Sequence, residues 1–263
     1  MTEAVDYEPL QQRLMAVASR LDTYRWRYEQ AKDSRCVFTY AYVLLTKRIA
    51  RELPTAGYLE PVWVVELAET FVEHYFDALD ASAEGRTVVP AWAAVFAAID
   101  RKRSSVLEDL VFGITVHIVH DLPFGLRQVG LDGLHGSHLH DFHALNTAMG
   151  EEVDEITQCI ARRYAPYISW LDRLGHDYED ILTSYGIRVA RGMAWYNAIR
   201  LGDPPSKRDA RASIERSSGA FIDTVLSPPL RSLRTLLRVC RFIVGFLRRW
   251  PKRNLPPPSL SPR

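Results

Sequence analysis

The chain has few cysteines and no recognisable export signal, and both features limit what kind of protein it is. Its 263 residues contain three cysteines, Cys36, Cys159 and Cys240, which lie far apart and outside any Cys-x-x-Cys pattern. This distribution argues against a disulfide framework and against a thiolate zinc site. Residues 1–30 lack a basic start followed by an apolar run, so we expect no secretory signal. The sequence therefore favours a cytoplasmic protein with unpaired thiols.

Strict alternation of polar and apolar residues, the pattern of a half-buried strand, is also missing over any useful length. Apolar residues instead recur at steps of three and four, as between Leu10 and Leu21, which is typical of one buried helical face. The same pattern predicts helices over residues 7–29, 34–53, 61–84, 90–102, 105–126, 138–172, 176–201 and 206–225. We therefore predict an all-α fold, a single multi-helix bundle-like domain over residues 1–225.

Charge is distributed unevenly along the chain. The formal net charge is +1, but nine Lys or Arg residues follow the last acidic residue, Asp223. This leaves 24 basic against 32 acidic residues in positions 1–223, a net charge of −8. A split of this kind indicates a basic C-terminal segment that meets an anionic surface.

That basic segment has the pattern of an amphipathic helix over residues 226–250. Its arginines share one stripe, opposite a face of Leu, Ile and Val: Arg231, Arg234, Arg238, Arg241 and Arg248. The stripe favours peripheral contact with an anionic membrane surface, or packing against the acidic body of the same protein. We expect no nucleic-acid binding, because no recognised motif accompanies the stripe. Residues 251–263, rich in Pro and Ser, are expected to be disordered.

Histidine is concentrated in one part of the chain. Six of the eight histidines lie within the 27 positions from His117 to His143, interleaved with Asp121, Asp141 and Asn146. On a helix, His117 lies one turn from both His120 and Asp121, so the three side chains can point into the same space. The neighbouring residues are apolar, which indicates a buried helix, and a buried Asp or His needs a partner or an ion. We therefore predict that this cluster has a shared role.

The leading interpretation of the cluster is a metal centre. Its ligands would be His117, Asp121 and Asp141, a set that suits zinc, iron or manganese. The catalytic groups would then be His120, His140 and Asn146. A metal-activated water in this setting favours hydrolysis of an ester or phosphoester on a lipophilic or phosphorylated small molecule.

Two further interpretations remain open. In the first, no cofactor is bound, and His117 with Asp121 moves protons in a cyclase, isomerase or dehydratase of a lipophilic metabolite. In the second, the protein is a non-catalytic lipid-binding or scaffold protein whose His and Asp side chains cross-tie the helices. The first predicts activity that survives chelation, whereas the second predicts that His117→Ala mainly lowers stability.

A second group of residues is predicted to bind substrate. Arg188, Arg191 and Trp195 fall on one face of a predicted helix. A guanidinium fork beside an aromatic wall suits an anionic substrate group. Ion pairing with the acidic residues at 151–154 is the alternative.

The run from Thr115 to Phe124, followed by Asp141-Phe142 and Asn146, resembles a family of bacterial proteins of unknown function. The shared core of that family reads Ala-His-Ile-x-x-Asp-Leu-Pro and then Asp-Phe-x-x-x-Asn, and this chain has Val116 in place of the alanine. The resemblance implies an α-helical fold and no particular reaction.

A local similarity to the zinc-dependent phospholipase C and P1 nuclease group is carried by His117-x-x-x-Asp121. In those all-helical enzymes a helix supplies this pair to a zinc cluster, so the similarity implies metal binding. The sequence departs from their pattern because Leu122-Pro123 follows the aspartate in place of further histidines.

Overall fold

A computed structural model describes residues 5–102, 104–133, 136–166, 184–226 and 250, and every regular element within them is helical. Nine α-helices and one π-helix follow each other along these residues. They are α1 (Tyr7–Gln30), α2 (Arg35–Glu52), α3 (Pro61–Ala83), α4 (Pro90–Asp100), α5 (Val106–Val116), the π-helix (His117–Asp121), α6 (Leu122–Val129), α7 (Ser137–Tyr164), α8 (Ser184–Gly202) and α9 (Lys207–Leu226). The predicted all-α fold is confirmed.

Local sequence signals explain where several helices begin. The Asp6 carboxylate accepts a hydrogen bond from the amide of Glu8 at the start of α1, and α3 and α4 begin with prolines in their first turns. At α5 the Ser105 hydroxyl accepts from the Glu108 amide while the Glu108 carboxylate accepts from the Ser105 amide. These caps satisfy amides that have no partner within the helix.

The helices pack around two large hydrophobic clusters. The first joins α1 to α5 and the C-terminal part of α7, and includes the fully buried Tyr40 and Phe112. The second joins the opposite ends of α1, α2 and α3 to α6, α8 and the start of α7, and includes Phe142. Ile114, near the end of α5, contacts both clusters. The helical segment that begins with α5 therefore lies at the centre of the bundle.

This central segment, Val106–Val129, is long and apolar enough to cross a membrane by length and composition. However, 78% of its most apolar window is buried inside the protein. The core helix of a soluble protein has the same composition, because it is apolar on every side.

A buried ion network joins the first helix to α7. The Glu29 carboxylate accepts two hydrogen bonds from Arg163, at 2.7 and 2.9 Å, and one from Arg25 at 2.6 Å. The hydroxyl of Tyr164 also donates to Glu29. Each buried charge in this network has a partner, as the cost of burying charge requires.

Four predictions fall partly or wholly outside the described residues, among them the helix predicted over 176–201, which is described only from Ser184, as α8. The predicted helix over 138–172 is confirmed as α7 up to Tyr164, whereas residues 167–183 lie outside the described part. The basic helix predicted for 226–250 and the tail 251–263 lie outside it too, apart from Leu226, which ends α9, and Trp250. Trp250 is partly buried against the first hydrophobic cluster.

Candidate acid–base site

The first part of the predicted cluster, His117 to Asp121, lies at a local change in helix geometry at the centre of the bundle. Residues His117 to Asp121 form a π-helix, in which the Leu122 amide donates to the His117 carbonyl five residues earlier. Pro123 supplies a physical reason, because a proline inside an α-helix lacks the amide proton and clashes with the carbonyl four residues before it. That carbonyl belongs to Val119, inside the π-helix. Single π-turns of this kind occur frequently at functional sites.

The π-helix brings both of its histidines to one carboxylate. His117 Nδ1 and His120 Nδ1 each lie 2.8 Å from Asp121, on Oδ2 and Oδ1 respectively. The indole Nε1 of Trp92, on α4, donates to the same Oδ2 at 2.9 Å. Asp121 is 2% exposed, so these three donors replace the water that burial removes.

The three donors hold Asp121 in its charged form. Burial alone would raise the pKa of Asp121, but the hydrogen bonds from His117 and His120 outweigh it and lower the pKa to about 2. At His117, by contrast, burial has the larger effect on the pKa. Burial lowers the pKa of His117 below its ordinary value, and the attraction of Asp121, which acts in the opposite direction, does not cancel this effect.

These two pKa shifts favour one proton arrangement of the pair at neutral pH. Asp121 is an anion, so His117 Nδ1 must carry the proton that it donates. His117 is neutral, so its other ring nitrogen, Nε2, carries a lone pair and no proton. The pair thus presents a basic nitrogen, oriented by a buried carboxylate.

That nitrogen faces an apolar environment. The His117 ring stacks on Phe71 of α3, with ring centroids 3.6 Å apart and planes 9° apart. The edges of Phe38 and Tyr42, both on α2, meet it at 5.7 and 4.9 Å. His117 lines a cavity of about 80 Å³ whose other walls are almost entirely apolar. Nε2 of this ring is buried and has no hydrogen-bond partner among the described residues.

His120 faces a different space from His117. Its ring lies 5.5 Å from Phe124, and it lines an open cleft with Arg127, Lys207 and Arg211. Asp121 therefore contacts one histidine that lines an apolar cavity, His117, and another that lines a wider basic cleft, His120.

The predicted metal set is not brought together. Asp141, on α7, accepts hydrogen bonds from the amides of Leu59 and Glu60 at 2.8 and 2.7 Å, just before α3. Its carboxylate thus ties α7 to the α2–α3 loop, whereas the Asp121 carboxylate is occupied by His117, His120 and Trp92. Among the described residues, no three His, Cys, Asp or Glu side chains are grouped as metal ligands. The expected convergence of His117, Asp121 and Asp141 is therefore corrected.

His140 was predicted as a catalytic group and occupies the surface. Its side chain is 55% exposed, and its Nδ1 lies 3.1 Å from Asp141. Because Asp141 is committed to the loop amides, His140 reinforces that structural contact rather than the Asp121 group.

The predicted substrate-binding residues divide between interior and surface. Arg191 is 3% exposed, and its Nε donates to the amide oxygen of Asn146. Its guanidinium lies over the ring of Phe142, 4.2 Å from the centroid. Trp195 is buried against the same ring at 5.0 Å. Arg188, one turn before Arg191 on the same helix, is exposed.

Burial lowers the pKa of Arg191 to about 10. Asn146, which was predicted as catalytic, holds this guanidinium in place and does not contact Asp121. Arg191 and Asn146 are therefore part of one buried polar group on α7 and α8.

A family model for a family of unknown function, DUF5995, matches residues 14–228. The chain belongs to this family. The match includes the π-helix, Arg191 and Asn146, so all of the candidate residues lie within the family domain. No curated protein matches the chain, and no solved structure matches it.

Sequence reasoning missed the partners that come from distant helices. Trp92, Phe71 and Tyr42 surround the pair in this DUF5995 domain, yet they lie on three different helices far from His117 in sequence. A buried aspartate signals that donors must exist. The sequence signal that points to Trp92 is only that a buried indole also needs a hydrogen-bond partner.

Proposed function

We propose that the protein is a metal-free acid–base enzyme that acts on a small lipophilic molecule, with His117 as the general base and Asp121 as its orienting carboxylate. The reaction class is isomerisation, dehydration or cyclisation. The observation that carries this proposal is that Nε2 of His117 is buried without a partner among the described residues, on a side chain that lines an apolar cavity.

In the proposed reaction, Nε2 takes a proton from a C–H or O–H group of the bound molecule. Asp121 stabilises the imidazolium that forms, because its carboxylate already accepts the Nδ1 proton at 2.8 Å. His117 then returns the proton to another atom of the same molecule, or to a leaving hydroxyl group that departs as water. The surrounding Phe38, Tyr42 and Phe71 exclude bulk water, which strengthens the electrostatic interaction between the two residues.

This chemistry needs a basic nitrogen and no metal. Both Asp121 oxygens already accept hydrogen bonds, and Asp141 is engaged by loop amides. These contacts favour the acid–base function over metal-dependent hydrolysis. A purely structural role for the pair is the remaining alternative, because buried His–Asp hydrogen bonds also cross-tie helices.

A solvent-exchange experiment tests the proposal without a known substrate. The protein is incubated in D₂O with an apolar metabolite extract, with and without EDTA, and mass spectrometry follows deuterium uptake and loss of water. We expect at least one small apolar compound to be labelled or converted, with or without the chelator. His117→Gln should abolish this, whereas His143→Gln, which alters an exposed histidine, should not.

Labelling or conversion that His117→Gln leaves intact would contradict the proposal, and so would its complete absence from the wild type. If EDTA abolished the activity and zinc, iron or manganese restored it, the result would support metal-dependent hydrolysis instead.

A further inference from the structure

Arg191 differs from the other buried arginines of this protein. Among the described residues the other arginines with buried side chains contact carboxylates, Arg25 and Arg163 with Glu29 and Arg35 with Asp33. No carboxylate of the described residues pairs with Arg191, and its Nη2 atom is buried without a hydrogen-bond partner. An isolated buried charge is costly, and an anion that contacts it offsets much of that cost.

The guanidinium of Arg191 is held in a fixed position. Asn146 accepts the Nε proton, and the Phe142 ring lies 4.2 Å beneath the guanidinium carbon. These two contacts leave Nη2 as a donor with nothing to bind. Arg191 also lines a cavity of about 50 Å³ whose other walls are almost entirely apolar.

This cavity adjoins the one that His117 lines. Three side chains, Tyr42, Leu45 and Phe71, belong to the walls of both. Taken together, the two volumes of about 80 and 50 Å³ approach the roughly 150 Å³ of an engineered apolar cavity that binds benzene. The space beside His117 and the space beside Arg191 are therefore neighbours that share these walls.

We propose that Arg191 binds the carboxylate of a small apolar acid whose hydrocarbon part fills these two adjoining cavities. A carboxylate matches a guanidinium in charge and geometry. A phosphate dianion would need more donors than the single arginine supplies. That this acid is the substrate of His117 rests on the proposed function, whereas its binding to Arg191 does not.

Calorimetric titration tests the binding with matched pairs of ligands. Hexanoate and hexanamide have the same shape and differ in charge, and butanoate and octanoate with their amides extend the series. Wild-type protein should bind the best carboxylate at least about tenfold more tightly than its amide, as expected of a charge-assisted hydrogen bond. Arg191→Met should reduce this preference to less than about twofold. Arg216→Met, an exposed arginine on α9, should leave it unchanged.

Three outcomes would overturn the proposal. These are the absence of any carboxylate preference in the wild type, a preference that Arg191→Met retains, and a preference that Arg216→Met removes equally. Circular dichroism shows whether Arg191→Met is folded, and if it is not, the wild-type comparison of acid with amide decides alone. His117→Gln should bind hexanoate within about threefold of the wild type. Carboxylate binding by a wild-type protein that shows no exchange activity would reject the enzymatic function and keep the carboxylate site.

Discussion

His117 Nδ1 lies 2.8 Å from Oδ2 of Asp121. These two residues begin and end the short π-helix. The contact is local in sequence, but its chemical character comes from distant helices. Trp92 holds the same carboxylate oxygen, and Phe71 covers the face of the imidazole ring. The result is a histidine that lines an apolar cavity, with a lowered pKa and an Nε2 atom that has no partner among the described residues.

Replacing Gly113 by alanine should destabilise the protein. A Cβ atom at this position would lie 2.3 Å from Cγ of Phe38, and it is Phe38 that occupies the space beside His117. We expect a loss of about 1–3 kcal/mol in the free energy of unfolding, as for an overpacked core. Urea denaturation measures it. Gly192→Ala is the matched control, since no atom lies within 4 Å of its added Cβ and alanine favours a helix. Equal losses in the two variants would contradict the packing of Phe38 on α5.

Asp121→Asn should change how the free energy of unfolding depends on pH. The folded-state pKa of Asp121 is lowered from 3.8 to about 2. The stability that its charge contributes is therefore present above pH 4 and is lost as the pH falls through 2, by about 2 kcal/mol. The free-energy difference between wild type and Asp121→Asn should shrink by that amount between pH 5 and pH 2. Parallel curves would mean that the carboxylate is not stabilised in its charged form.

His117 should make the protein less stable as the solution becomes mildly acidic. Because burial lowers its pKa in the folded state, the unfolded chain binds the proton more readily below pH 6.5. Its contribution to stability is therefore present above that pH and declines as the pH falls below it. We expect wild type and His143→Gln to lose stability between pH 7.5 and 5, and His117→Gln to lose less. A wild type that gains stability relative to His117→Gln in this range would indicate a charged imidazolium.

Asp141→Asn should destabilise the protein without affecting the acid–base site. The carboxamide retains one acceptor oxygen and directs an NH₂ group at an amide, either that of Leu59 or that of Glu60. We expect a cost of about 1–3 kcal/mol. Exposed Asp77→Asn should stay within about 0.5 kcal/mol of wild type. Loss of deuterium exchange in a folded Asp141→Asn protein would contradict the structural role given to Asp141.

Much of the fold could be predicted from local sequence patterns. The helices that begin at Tyr7, Pro61 and Pro90 were predicted from apolar spacing and from proline in a first turn. The pairing of His117 with Asp121 was predicted for the same reason, since residues four apart are neighbours on a helix. These features depend on residues that are close together in the chain, so a single sequence is enough to predict them.

The rest depends on tertiary packing. The sequence position of Asp141, close to the histidines, suggested a metal ligand. Its partners in the structure are amides 81 and 82 residues away. Arg188 and Arg191 lie three residues apart, yet only Arg191 enters the core, because the position of α8 against α7 decides which side is covered. Helical periodicity gives the relative angle of two side chains and does not say which of them is buried.

Nitrogen NMR of ¹⁵N-histidine-labelled protein tests the central claim most directly, since it identifies the proton positions on the His117 ring without a substrate. The His117 signals are assigned by their absence in His117→Gln. We predict a neutral ring at pH 7 with the proton on Nδ1 and a bare Nε2, and a titration midpoint below 6.5. A proton on Nε2, or a charged ring at pH 7, would contradict the account, because His117 would then have no basic nitrogen to present to the cavity.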